Sequence, residues 1–307
     1  MNGVINLVEP TVFDLSGRGL NVGDRGVAPI MMSIEHIRRQ FQGSHETNVV
    51  IEDVNLTVRK GEFVTLVGPS GCGKTTLLLC LAGLMPLSGG RIQFRGETVL
   101  SPPAGLSVVF QDYSRSLFPW KRNRDNVLFG MRRLKNLSKS EKYDIASDLL
   151  AAVGLADFAN HYPWQVSGGM QQRVAIARAL AARSEVLLLD EPFASLDAQT
   201  RADMHELVLD LFKKYDQTCI LVTHDIEEAI YLSTRLCVLS HRPSRIELDI
   251  PVDLPVPRDP LLSKEHPRFL ELRHRVLEMI KRAPENRQVR PELTPQAVLT
   301  QIEQGAK

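Results

Sequence analysis

The chain has 307 residues, 43% of them hydrophobic and 6% aromatic, with 37 Lys and Arg against 36 Asp and Glu. A formal net charge of +1 excludes a strongly basic nucleic-acid binder, so no nucleic-acid partner is expected. No run approaches the ~18 apolar residues of a membrane span. The first basic residue, Arg18, comes too late for the charged start of a signal peptide, and the four cysteines lack metal-ligand spacing. The expectation is a soluble, intracellular protein with reduced thiols.

Residues 1–32 carry five glycines and no sustained periodicity, which predicts a flexible N-terminal extension, least ordered over Ser16 to Gly26. A folded domain is expected over residues 33–250. Val54, Leu56 and Val58 alternate with polar residues, as a half-buried strand requires. Glu62 to Val67 is a short apolar run ending at a glycine-rich loop, and Leu77, Leu81 and Leu84 then recur at helical spacing. Further buried strands are expected at Leu106 to Phe110, Val186 to Asp190, Thr218 to Val222 and Arg235 to Leu239. Separated by helical stretches, these runs predict a largely parallel sheet covered on both faces. Between Phe110 and Ser167 no comparable run occurs. A helical insertion is expected at about residues 111–166, with Ser138 and Glu141 forming a capping box for a helical stretch to Phe158. Beyond residue 251, prolines 251, 255, 257 and 260 predict an extended linker. A helix with Phe269, Leu272, Val276 and Ile280 on one face follows, expected to pack on the domain or a partner chain. Thr294-Pro295 opens a last short helix.

The strongest chemical signal is Gly68-Pro69-Ser70-Gly71-Cys72-Gly73-Lys74-Thr75, the phosphate-loop pattern G-x-x-x-x-G-K-[ST] between a strand and a helix. Its glycines let backbone N–H groups turn inward around phosphates, and the helix N-terminus adds partial positive charge. Lys74 can reach the β- and γ-phosphates, and the Thr75 hydroxyl can ligate Mg²⁺. The second signal is Val186 to Glu191, an apolar strand delivering two carboxylates at its C-terminal end. Asp190 suits a hydrated Mg²⁺, and Glu191 suits a general base toward water. The third is Ser167-Gly168-Gly169 before a helical run. Ser167 would cap a helix whose free N–H groups can meet an anion, and a second subunit could supply that helix end to the phosphate loop.

Six spaced elements in order carry a family resemblance: the phosphate loop, Gln111 after Val108-Val109-Phe110, Ser167 to Gly169, Asp190-Glu191, Ser195-Leu196-Asp197, and His224 after Leu221-Val222-Thr223. Over about residues 33–250 they resemble the ATP-binding subunit of ABC transporters. Met170 departs from the family pattern, which has glutamine there. The resemblance implies an α/β P-loop cassette with a mixed, mostly parallel sheet, an antiparallel β subdomain and an inserted helical subdomain, plus a C-terminal linker and helical tail over 251–307. It implies ATP and Mg²⁺ as ligands and two cassettes paired head to tail, as a homodimer or with a close paralogue. Gly68 to Thr75 and Thr76 would surround the nucleotide, and Thr75, Gln111 and Asp190 the metal. Phe41 would stack on adenine, and Ser167, Gly168, Gly169 and Asp197 would contact the site across the pair. Glu191 and His224 would be catalytic, although His224 without that company reads as a surface histidine.

The segment Gln111 to Val127 is where, in the family, a membrane permease subunit docks. For Trp120 a docking role and a hydrophobic plug beneath the helical arm are both open readings. Leu117-Phe118-Pro119-Trp120 and the tail Arg258-Asp259-Pro260 resemble the nitrate, sulfonate and taurine importer branch, with an extracytoplasmic binding protein as an indirect partner. The resemblance places such a subunit peripherally on the cytoplasmic face of the inner membrane. A soluble, non-transport ABC ATPase of DNA-repair or regulatory type is the alternative; the modest helical arm and the absence of basic excess weigh against it.

Overall fold

A computed structural model describes residues 28–42, 47–112 and 116–282, together with two short strands, β1 (Val12–Phe13) and β2 (Gly19–Leu20). The N-terminal glycine-rich stretch and the Thr294-Pro295 helix start therefore lie outside the described residues, apart from those two strands. Ten further strands form one sheet: β3 (Ile30–Gln42), β4 (Thr47–Arg59), β5 (Phe63–Val67), β6 (Gly89–Phe94), β7 (Glu97–Thr98), β8 (Leu106–Val109), β9 (Val186–Asp190), β10 (Thr218–Thr223), β11 (Arg235–Leu239) and β12 (Ser244–Pro251). Their order is β7-β6-β3-β4-β12-β11-β5-β10-β9-β8.

The strand sequences explain the division of this sheet. β5, β9 and β10 are buried at every position and run parallel side by side, as strands covered on both faces must be. Alternate residues feed two cores. Phe63, Leu187, Leu189 and Leu221 enter one; Val64, Leu66, Leu188 and Ile220 enter the other. β3 pairs antiparallel with β4 and β6, and its mixed buried and exposed positions suit an edge layer with one wet face. β12 links the two regions, antiparallel to β11 and parallel to β4. The mixed sheet with its antiparallel flank agrees with the expected α/β cassette.

α1 (Lys74–Leu81) follows β5 through the phosphate loop. It ends at Leu81, so Leu84 stands outside it. The helical arm comprises α2 (Asn123–Gly130), α3 (Lys139–Ala152) and α4 (Gly168–Ala181). Ser138 caps α3 with both halves of the capping box formed. The helix stops at Ala152, before the turn at Gly154, and Ala156–Phe158 is a separate 3₁₀ turn rather than its continuation. α5 (Ala198–Tyr215) and α6 (Ile226–Leu232) cover the same core as α4.

The tail carries α7 (Leu262–Glu265) and α8 (Pro267–Arg282). Phe269, Leu272 and Val276 are buried in the core shared with α6 and β11, while Ile280 is partly covered. Arg258 closes the connection. Its guanidinium donates to the carbonyls of Ile230, Tyr231 and Ser233, the unpaired C-terminal end of α6. Burial lowers its pKa to about 10, which leaves it charged at neutral pH. Arg258→Ala strands those carbonyls and is expected to cost about 2–4 kcal/mol of stability. Denaturant unfolding that shows no loss would refute the clamp.

Candidate nucleotide site

The phosphate loop leaves β5 at its C-terminal end and wraps into α1. Gly73 caps α1 in a left-handed conformation, φ +112°, and a Cβ there would lie 2.6 Å from Val50 Cγ1 on β4. Only glycine fits both demands. Lys74, 5% exposed, donates through Nζ to the carbonyls of Gly68 (3.0 Å) and Pro69 (3.1 Å), and lies 3.8 Å from Glu191. Cys72 sits buried behind the loop, and desolvation raises its thiol pKa. Thus the thiol is a packing group rather than a thiolate at neutral pH.

β9 lies one strand beyond β10, and the sheet order brings the carboxyl ends of β5, β10 and β9 together. There Thr75 Oγ1 donates to Asp190 Oδ1 at 3.1 Å. Asp190 is 3% exposed, and desolvation raises its pKa to about 6; Glu191 adds to this, while the Thr75 hydrogen bond and Lys74 oppose it. A hard-oxygen pair, one hydroxyl and one carboxylate short of positive charge, fits Mg²⁺ in its donor chemistry.

Glu191 adopts φ +41°, an uncommon conformation for a residue with a Cβ. Its N–H donates to Val222 O (2.8 Å) on β10, which holds the turn. The side chain meets His224, whose Nδ1 lies 2.8 Å from Glu191 Oε2. His224 follows β10 and precedes Asp225, which caps α6 through the N–H groups of Glu227 and Glu228. His224 is half exposed, whereas Glu191 is largely covered.

The remaining residues frame this centre. Val109 on β8 pairs with Leu189, and Gln111, two residues beyond the end of that strand, is exposed. Ser167 caps α4, its Oγ accepting from Met170 N–H (3.3 Å), and Ser167 and Gly168 are exposed. Gly169 faces Thr200, whose Cγ2 would lie 2.7 Å from a Cβ at that position. Asp197 caps α5 by accepting from Thr200 N–H (3.0 Å), and that bond lowers its pKa. Phe41 lies on β3 opposite Asn48, with the Arg39 guanidinium 4.5 Å over its ring. Trp120 is 71% exposed, which removes the plug reading; Phe118 packs beside it and against Phe129.

Two further residues stand in this frame without having been singled out by motif. Gln172, fully buried on α4, donates to the Pro192 carbonyl just after Glu191. Arg201 donates to Leu196 O (2.9 Å) and lies 3.6 Å from Asp225, joining the loop before α5 to the cap of α6. The readable signal was a polar residue at a buried-face position of α4; for Arg201 no sequence signal exists.

Residues 51–194 match the ABC transporter family model. The chain is 43% identical over 252 residues to an ABC transporter ATP-binding protein of Methanocaldococcus jannaschii, MJ0412, covering 82% of this chain and 92% of that one. It is 44% identical to the nitrate import ATP-binding protein NrtD of Synechocystis (73% and 83% covered) and 42% identical to the taurine import ATP-binding protein TauB of Escherichia coli K12 (81% and 97%). Among solved structures, the dimeric post-hydrolysis state of the ATP-binding cassette MJ0796 bound to ADP and Pi superposes with a TM-score of 0.64 at 30% identity, covering 72% of this chain and 99% of that one. The chain belongs to the ABC transporter family, as one of its ATP-binding proteins.

Proposed function

We propose that the chain is the ATP-hydrolysing subunit of a membrane importer for small anions such as nitrate, aliphatic sulfonates or taurine. Two cassettes act head to tail, each ATP held between one chain's phosphate loop and the other's Ser167 helix. The observation that carries the reading is the junction of Lys74, the Thr75–Asp190 pair and the Glu191–His224 pair at the carboxyl ends of three adjacent strands. Nucleotide phosphates compete with the Gly68 and Pro69 carbonyls for Lys74, while Gly68 to Gly73 and Thr76 surround them and Phe41 stacks on adenine. Glu191 orients the attacking water and accepts its proton, a role worth roughly 10²–10⁴-fold. His224 holds Glu191 on one side and reaches the γ-phosphate on the other. Thr75, Asp190 and Gln111 would hold Mg²⁺, which supplies charge neutralisation on the phosphates.

Among the described residues no helix is long and apolar enough to cross a membrane. Membrane location is therefore assigned to docking: Trp120 and the surrounding segment meet permease subunits at the cytoplasmic face, with the extracytoplasmic binding protein joined only through them. Exposure of Trp120 supports this, since aromatic anchors supply contact area at interfaces.

The test of the paired site is dilution. ATP hydrolysis per chain should rise with protein concentration, and Ser167→Arg should lower it by about tenfold or more while ATP still binds the single chain. Concentration-independent hydrolysis that survives Ser167→Arg would overturn the head-to-tail reading. Substrate class is tested by uptake of nitrate, sulfonates and taurine in cells lacking the chain.

A further inference from the structure

Two fully buried asparagines lie one turn apart on α2. Asn126 folds the loop before the helix. Its Oδ1 accepts from Phe118 N–H (2.9 Å), and its Nδ2 donates to the carbonyls of Phe118, Lys121 and Arg122, each at 3.2 Å. One buried side chain thereby shapes the loop that presents Trp120. Asn123 faces the other way. Its backbone N–H donates to His161 O (2.8 Å) and its Nδ2 to Phe158 O (2.9 Å), while Arg124 N–H donates to Ala159 O (3.0 Å). The bonded stretch, Phe158 to His161, leads directly into Ser167.

The outer surface repeats the connection. The Arg122 guanidinium lies 5.8 Å over the Tyr162 ring, and Tyr162 stacks on Trp164, three residues before Ser167. At the far end of α2, Gly130 touches α4, the helix Ser167 caps; a Cβ there would lie 2.3 Å from Arg178 O. The Arg178 side chain also donates to Ser116 O (2.6 Å) and Oγ (3.0 Å) at the start of the docking segment. A buried amide is costly unless its bonds are made. Asn126 is bonded through both its oxygen and its nitrogen and holds one arrangement strongly. Asn123 is held through Nδ2 and its backbone N–H, its Oδ1 being buried without a partner.

We propose that Asn126 and Asn123 are positioning residues that join the Trp120 loop and the Ser167-leading loop into one moving unit, so that nucleotide engagement at Ser167 is felt at the permease-docking surface. The inference rests on the proposed head-to-tail function. Asn126 sets the loop's shape, and Asn123 ties the near end of α2 to the stretch entering Ser167. Neither residue touches nucleotide.

The chain contains two tryptophans, Trp120 and Trp164, one on each side of this joint. In a Glu191→Gln background, Trp164→Phe leaves Trp120 as reporter and Trp120→Phe leaves Trp164. ATP with Mg²⁺ is expected to change the emission of both. Asn123→Ser should then cut the Trp120 response at least about fivefold while the Trp164 response stays within about twofold. If Trp164 responds and the Trp120 response survives Asn123→Ser, the proposal fails and the Arg178–Ser116 contact takes the role. If Trp164 gives no response in the parent, the nucleotide-facing reading of Ser167 fails, and this inference with it. Hydrogen exchange on the unsubstituted chain removes dependence on variant folding. Amides of residues 118–124 and 158–162 should change protection together on adding ATP and Mg²⁺, and a change confined to 158–162 would overturn the proposal.

Discussion

Glu191→Gln is expected to lower steady-state ATP hydrolysis by roughly 10²–10⁴-fold, the usual worth of a positioned general base, while ATP binding persists. Glutamine keeps the size of the side chain and can still meet His224 Nδ1, now 2.8 Å from Glu191 Oε2; it has no site to accept the water's proton. In the proposed pair ATP contacts both halves and hydrolysis removes that bridge, so the variant should accumulate as the closed dimer on size-exclusion chromatography with ATP. The φ of +41° at Glu191 makes this more than a side-chain exchange at a flexible point. The turn is held by the Glu191 N–H bond to Val222 O, so the backbone that aims the carboxylate survives the substitution. Rapid turnover by this variant would sink the general-base assignment.

Asp190→Asn is expected to split stability from activity. The Asp190 carboxyl titrates at about 6 in the folded chain against 3.8 for an exposed aspartate, chiefly because burial disfavours its charge. A raised carboxyl pKa contributes stability that is complete below pH 3.8 and is lost as pH rises through about 6. Above that pH the native chain carries a buried charge that asparagine removes, and the amide can still accept from Thr75. Without added nucleotide, the variant should therefore be more stable at pH 7–8 by about 2 kcal/mol, with the gain shrinking to nothing near pH 4. Hydrolysis supported by Mg²⁺ should fall by about two orders of magnitude, since the carboxylate proposed to hold the cation is lost. Equal unfolding midpoints for the two chains at pH 8 would refute the burial argument.

Their surroundings separate the two carboxylates at the end of β9. Asp190 lies on the buried side of the strand end, where the hydroxyl of Thr75 is its neighbour. Glu191, one residue on, turns toward His224 and the ammonium of Lys74. Two adjacent acids thus stand in different surroundings because the strand ends between them. That division supports different roles in binding and in proton transfer.

How much of this was legible beforehand depends on how local the cause is. The glycine pattern from Gly68 to Thr75, the apolar strand ending in Asp190-Glu191 and the Ser138–Glu141 capping box are contiguous. Each depends on backbone conformation, periodicity or capping within a few residues, and each stands where the sequence predicts. The helix predicted to Phe158 ends at Ala152 because the backbone turns at Gly154 to bury Leu155, although the apolar spacing continues past that point. Trp120 was undecidable from its residue type, since indoles serve both cores and interfaces.

What the sequence determined by itself was the chemistry present and its attachment to strand ends and helix starts. Which of those ends meet was decided by the order of strands in the sheet. Thr75 and Asp190 are 115 residues apart and Glu191 and His224 are 33 apart; they touch because β10 inserts between β5 and β9. The same holds for the Arg258 clamp on α6 and for the two asparagines of α2. Their side chains bond to carbonyls of neighbouring segments, and a buried amide or guanidinium is specified by the partners that surround it rather than by its own periodicity.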